Sequence, residues 1–327
     1  MKTYGLCSFG RISGVNRLFT FGCSFTQYFW PTWADIVANC FEYSENWGRL
    51  GAGNFYIYNA LIECNIRNKI TADDTVAIMW TNVSREDRYR NGAWVVAGNI
   101  YTQNTHPKKW VKYWADTRGY YIRDLSLIYS TKKLLESIGC KFYFMSMVDI
   151  NNAGQYKVVD SEVDNLLEHY KETINIFRPS VHKEIFNYDW ESRPIATDRN
   201  FLKLQKKWKN VAGPDWPNFS SFVDGSYKNT TNPSIIEEIL DVKRWGDWNN
   251  VGNVGRFDLH PIPGEHLLYL NKVLPEYAIS EETKLAVAEA DKLVITNSDN
   301  YYQALTQETI QHKLFKNFRA NRAIKRW

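Results

Sequence analysis

Over the first half of the chain, short apolar runs bounded by polar turns alternate with longer stretches of helical spacing. Leu18-Phe19-Thr20-Phe21-Gly22 is apolar and rich in strand-favouring residues, and it stops at Cys23-Ser24. A run of that length closed by turn residues predicts a buried strand, and Trp33 to Ala38, after Pro31, predicts a helix. Asn54 to Ile66 sets Phe55, Ile57, Tyr58, Leu61 and Ile62 at helical spacing, and Thr75 to Trp80 reads as a second buried strand. Arg123 to Ile138 predicts a helix with Leu125, Ile128, Leu134 and Leu135 on its apolar face and Gly139 as its C-cap, before a third strand at Lys141 to Met147.

Strands separated by helices call for right-handed crossovers, so the expected fold is α/β, a parallel sheet with helices on both faces. Ligands in such sheets sit beyond the carboxyl ends of the strands, where Ser24, Asn82 and Asp149 would gather. Between about Asn151 and Arg256 the rhythm fails, apart from an amphipathic helix expected over Ser161 to Ile176. Tyr188, Trp190, Trp208, Trp216, Trp245 and Trp248 there stand among Asn, Asp, Gly and Pro. Long irregular stretches of this kind serve as lids or binding loops, or bury their aromatics in a satellite core. Helices are expected again from Glu265 to Leu274 and from Glu281 to Leu293. The chain thus divides into one α/β domain (1–150 and 251–295), an insertion (151–250) and a basic amphipathic tail (296–327).

Composition narrows the class. Of 327 residues, 44% are hydrophobic and 23% charged, which fits a globular protein and excludes disorder and collagen-like repeats. A net charge of +4, much of it in the tail, would not by itself draw the chain onto nucleic acid. The tail, with Lys313, Lys316, Arg319 and Arg322 beside Leu314, Phe315 and Phe318, reads as a solvated helix or a segment that docks a protein partner. The five cysteines form no Cys-x-x-Cys pair, so neither a disulfide framework nor a structural zinc is expected. No signal peptide or long apolar span is visible, and the expected setting is a reducing cytoplasm, with no membrane partner.

Ser24 ends a buried strand at the start of a turn expected to lead into a helix. There, backbone N–H groups and the positive helix end would favour a nucleophile and the oxyanion it creates. The same placement suits a plain helix N-cap. Asp258-Leu259-His260-Pro261 puts a carboxylate and an imidazole two residues apart on a proline-bounded loop, where Asp258 can lie near enough to orient His260 as a general base; a histidine before a proline also suits a plain loop residue. Asn46-Trp47-Gly48-Arg49-Leu50-Gly51-Ala52-Gly53-Asn54 is glycine-rich but lacks the endings of a nucleotide-binding loop. Its Gly N–H groups and the amide of Asn82, just past a strand, are candidate oxyanion donors.

Gly-x-Ser, then a Gly loop, then Asn after a strand, then Asp-x-His-Pro: this order resembles the SGNH (GDSL-like) hydrolase superfamily over residues 16–85 and 255–275. The resemblance implies a flavodoxin-like three-layer α/β/α fold and hydrolysis of small acyl esters without metal or organic cofactor. It implies Ser24 as nucleophile and first oxyanion donor, Gly51 and Asn82 as further donors, His260 as base and Asp258 as its orienting partner. Cys23 stands where the family usually has Asp, and Trp80 where it has Gly; Cys23 is expected to be a buried structural thiol. The tryptophans, with Trp80, Trp245 and Trp248 as the substrate-binding candidates, suggest an O-acyl group on a carbohydrate. Chains with a Phe-Gly-Cys-Ser-Phe-Thr start and a Trp-rich middle also resemble proteins of bacteriophages and bacterial polysaccharide clusters, so the rival expectation is a non-catalytic glycan-binding or virion protein on the same scaffold.

Overall fold

The computed structural model describes residues 16–28, 30–100, 106–150, 161–186 and 260–296. Its centre is a parallel sheet of β1 (Arg17–Phe21), β2 (Tyr43–Asn46), β3 (Thr75–Trp80) and β6 (Lys141–Ser146), ordered β2-β1-β3-β6. The chain steps from β1 outward to β2, then returns past β1 to β3 and on to β6. That reversal places a topological switch point between β1 and β3.

Side chains alternate along each strand, and both sides are covered. Phe19, Phe21, Val76, Ile78, Trp80 and Phe144 pack beneath α2 (Asn54–Asn68) and α4 (Thr117–Ile138), which contribute Ile57, Leu61, Leu125, Ile128 and Leu135. Leu18, Ala77, Met79, Tyr143 and Met145 face the other way. They meet α1 (Trp33–Ala38), α7 (Pro263–Val273) and α8 (Glu281–Thr296) through Trp33, Ile36, Tyr269, Leu270 and Val287. Burial on two faces is why these strands read as continuous apolar runs, and each large side chain so buried contributes about 1.5–3 kcal/mol. The result is the three-layer α/β/α arrangement. At the end of α4, Gly139 sits at φ 77 and its N–H reaches the carbonyls of Leu135 and Glu136, a left-handed cap that favours glycine.

The structure adds elements that the periodicity does not reveal. β2, Tyr-Ser-Glu-Asn, is an edge strand with Ser44 and Asn46 turned inward. β4 (Arg85–Arg90) and β5 (Ala93–Asn99) form an antiparallel hairpin closed by Asn91-Gly92, both at positive φ, as a tight two-residue hairpin turn requires. α3 (Lys108–Trp114) precedes α4, and α4 starts at Thr117 rather than Arg123 because the Asp116 carboxylate caps it, accepting the Arg118 N–H at 3.0 Å.

The helix expected over Ser161 to Ile176 is two pieces, α5 (Ser161–His169) and α6 (Lys171–Ile174). Phe177 then makes a parallel bridge to Phe144, and Val163 and Val181 are buried in the main core. The opening part of the expected insertion therefore belongs to the α/β body. All the tryptophans of the insertion, and the basic tail beyond Thr296, lie outside the described residues. Among the described residues no helix is long and apolar enough to cross a membrane.

Candidate active site

The loop after β1 is tightly specified. A Cβ on Gly22 would lie 2.0 Å from Thr26 Oγ1 and 3.0 Å from the Met79 carbonyl, so only glycine fits there. Beyond it the amides of Thr26 and Gln27 both donate to the Cys23 carbonyl, closing a single turn around Ser24. Two side chains hold that turn by its Thr26 carbonyl: Asn46 Nδ2 and Thr32 Oγ1, each at 2.7 Å. α1 covers Trp33–Ala38, as its pattern predicts, so Ser24 opens a hydrogen-bonded turn and no helix begins directly behind it. Ser24 is 5% exposed, and Cys23 is fully buried in the core.

The loop after β2 lies alongside. Asn46 Oδ1 accepts the Gly48 N–H, and the Arg49 N–H donates to the Gly22 carbonyl, which ties this loop to the first. Gly51 is at φ 77, a conformation that favours glycine. The hairpin grips this loop from the other side. Gly98 N–H donates to the Gly51 carbonyl at 3.0 Å, Arg85 Nη1 to the Ala52 carbonyl at 2.8 Å, and Arg49 Nη2 to the Trp94 carbonyl at 2.9 Å. Asp87 completes the grip by accepting the N–H groups of Gly53 and Tyr56, each at 2.9 Å, so a carboxylate from the hairpin caps α2. Burial pushes the Asp87 carboxyl up to about 7, against the pull of the Gly53 N–H, Arg85 and Arg123.

After β3, Asn82 Oδ1 accepts the Ser84 N–H at 2.6 Å, so the amide is oriented by its own loop. Asn54, the first residue of α2, bridges this loop to the Gly51 loop. Its Oδ1 accepts the Thr81 N–H, and its Nδ2 donates to the Thr81 carbonyl and to Asp124 Oδ2, all between 2.8 and 3.0 Å. Asp124 is itself fully buried and paired with Arg123. Burial lifts its carboxyl to about 6 while Arg123 and Asn54 oppose the shift.

His260 arrives from the far side of the sequence. Its ring stacks on Tyr28, with centroids 3.9 Å apart and planes 19° from parallel, and it meets Phe25 edge-on at 5.4 Å. Trp30 Nε1 donates to the Pro261 carbonyl at 2.7 Å, and the Ile262 N–H to Glu265 Oε2 at 2.9 Å, which starts α7. His266, on α7, is buried and held down to about 3, first by burial and then by the nearby His260.

Of the residues picked from sequence, Ser24, Gly51 and Asn82 lie on the loops after β1, β2 and β3 at the carboxyl edge, and His260 packs on the Ser24 loop. Asp258, Trp245 and Trp248 lie outside the described residues. Trp80 is fully buried, edge-on to Phe144 at 5.7 Å, and so belongs to the core and offers no face to a substrate. Sequence reasoning did not find Asn54, Asp87 or Tyr28. Among the described residues no group of three or more His, Cys, Asp or Glu is placed to hold a metal ion.

No protein-family model matches the chain, and no curated protein matches it. Among solved structures, a "putative acylhydrolase" from Bacteroides fragilis NCTC 9343 aligns with 68% of this chain and 88% of its own, at 15% identity and a TM-score of 0.29. The fold assignment rests on the sheet order and the two covered faces.

Proposed function

We propose that the protein is a serine ester hydrolase of the SGNH kind. The observation that carries the reading is the convergence at the switch point. Ser24 follows β1 and Asn82 follows β3, the two strands that flank it, and His260 packs on the Ser24 loop itself. In this reading Ser24 Oγ attacks the ester carbonyl carbon as its proton passes to His260 Nε2. The tetrahedral oxyanion is held by the Ser24 and Gly51 amides and by Asn82 Nδ2, each good donor worth about 3 kcal/mol. Collapse breaks the bond to the alcohol, which takes the proton from His260, and leaves an acyl group on Ser24. Water, deprotonated by His260, then releases the acid. Asp258 would orient His260 through Nδ1. The acceptor we favour is a carbohydrate, because the tryptophans between residues 187 and 259 supply faces suited to sugar rings. The protein itself, assayed with p-nitrophenyl acetate, should turn over, and Ser24→Ala and His260→Gln should each lose at least about a thousandfold in kcat; retained activity in Ser24→Ala contradicts the reading.

A second reading draws on the burial of Ser24, which is 5% exposed: a non-catalytic glycan-binding or structural protein on the same scaffold. A folded protein that neither turns over esters nor depends on Ser24 would favour the second.

A further inference from the structure

We propose that Tyr28 and Trp30 are positioning residues for His260, so that the loop presenting the nucleophile also sets the plane of the base. The inference rests on the proposed hydrolase reading. Two separate contacts carry it. The Tyr28 ring lies face to face with the imidazole at 3.9 Å and 19°, and the Trp30 indole N–H holds the carbonyl of Pro261, the residue directly after His260, at 2.7 Å. Tyr28 and Trp30 pack edge-on at 4.5 Å and are 7% and 1% exposed, so the pair forms a rigid wall, with Phe25 edge-on as a second.

The chemistry fits the role. A stacked ring fixes the imidazole plane and leaves both nitrogens, which lie on its edge, able to accept and donate protons. When the proton of Ser24 moves to His260, the ring becomes a cation facing the π-cloud of Tyr28, a contact that favours the charged state. The wall shares its loop with Ser24 and is four to six residues further along the chain. A shift of that loop would therefore carry nucleophile and base together. The phenol hydroxyl is not needed for either effect, and Tyr28→Phe should preserve both.

The test uses the full chain with isotope-labelled histidine, and reads the His260 ring protons by NMR beside the kinetics of p-nitrophenyl acetate hydrolysis. In the wild type and in Tyr28→Phe the His260 ring protons should be shifted upfield by the stacked ring, with similar kcat. In Tyr28→Leu the shift should vanish and kcat should fall about ten- to a hundredfold with KM little changed. Should Tyr28→Leu fail to fold, Trp30→Phe keeps the Tyr28 ring on His260, removes the bond to Pro261 together with part of the buried indole, and should show a smaller fall in kcat with the upfield shift retained. An unaltered His260 shift in Tyr28→Leu, or a lost shift with unaltered kcat, overturns the proposal. A wild type inert to esters removes the hydrolase reading and the catalytic role of the clamp with it, while the upfield shift still reports whether the contact exists.

Discussion

The two sides of the candidate site are built from different materials. On the Gly51 and Asn82 side, buried polar groups do the holding: Asn54 makes three hydrogen bonds, Asp87 two, and Asp124 and Arg123 back them. On the His260 side the described contacts include two aromatic rings against the imidazole, the indole hydrogen bond of Trp30 to Pro261 and the Ile262–Glu265 bond. Directional bonds fix donors at set distances, as a preorganised oxyanion hole demands. A stack fixes a plane and lets a ring slide within it, which suits the role proposed for His260, a base that serves first the serine and then water. The polar side also carries a cost, since Arg85 Nε is buried without a partner.

Breaking the polar side should have the largest effect on stability. Asn54→Ala strands the Thr81 N–H and one oxygen of Asp124 in the core, and is expected to cost about 3 kcal/mol, read as a lower urea midpoint at unchanged slope. Asp87→Ala removes both caps of α2 and loosens the Gly51 loop, for about 2 kcal/mol. Tyr28→Leu, on the aromatic side, should cost only about 1 kcal/mol while reducing kcat. As a control, removing the exposed Lys171–Glu168 pair should change stability by no more than about 0.5 kcal/mol.

The comparison also predicts a pH signature. Asp87 is raised by burial to about 7, and Asp124 to about 6, as is Asp291 on α8, which accepts the Gly264 N–H at 2.7 Å. A carboxyl raised in the folded state binds its proton more tightly there than in the unfolded chain. Its stabilising contribution is therefore complete below about pH 4 and is lost as pH rises through the folded value. The melting temperature of the wild type should lose this contribution between about pH 4 and 7, and Asp87→Asn should flatten that part of the decline. An identical slope in the variant would place Asp87 in a more solvated setting than the hairpin shows.

What the sequence made legible follows from which residues face the core. β1, β3 and β6 are buried on both faces and announce themselves as apolar runs. The hairpin hides, because Arg85 and Asp87 turn inward to bind the Gly51 loop, inverting the usual pattern; its one signal was Asn91-Gly92. β2 hides because an edge strand can be polar. The order of the chemical blocks led to Ser24, Gly51, Asn82 and His260. Asn54, Asp87 and Tyr28 were invisible because their roles exist only through partners far along the chain. Trp80 shows the limit of reading strand ends: one position decides whether an aromatic faces core or cleft, and here it faces the core.

The central claim is that Ser24 is a nucleophile. Treating the folded full-length protein with a fluorophosphonate and mapping the adduct by mass spectrometry tests it most directly. A single adduct on the peptide carrying Ser24, absent from Ser24→Ala and much slowed in His260→Gln, is the predicted result. A folded protein that takes no adduct, or takes it on another residue, contradicts the account.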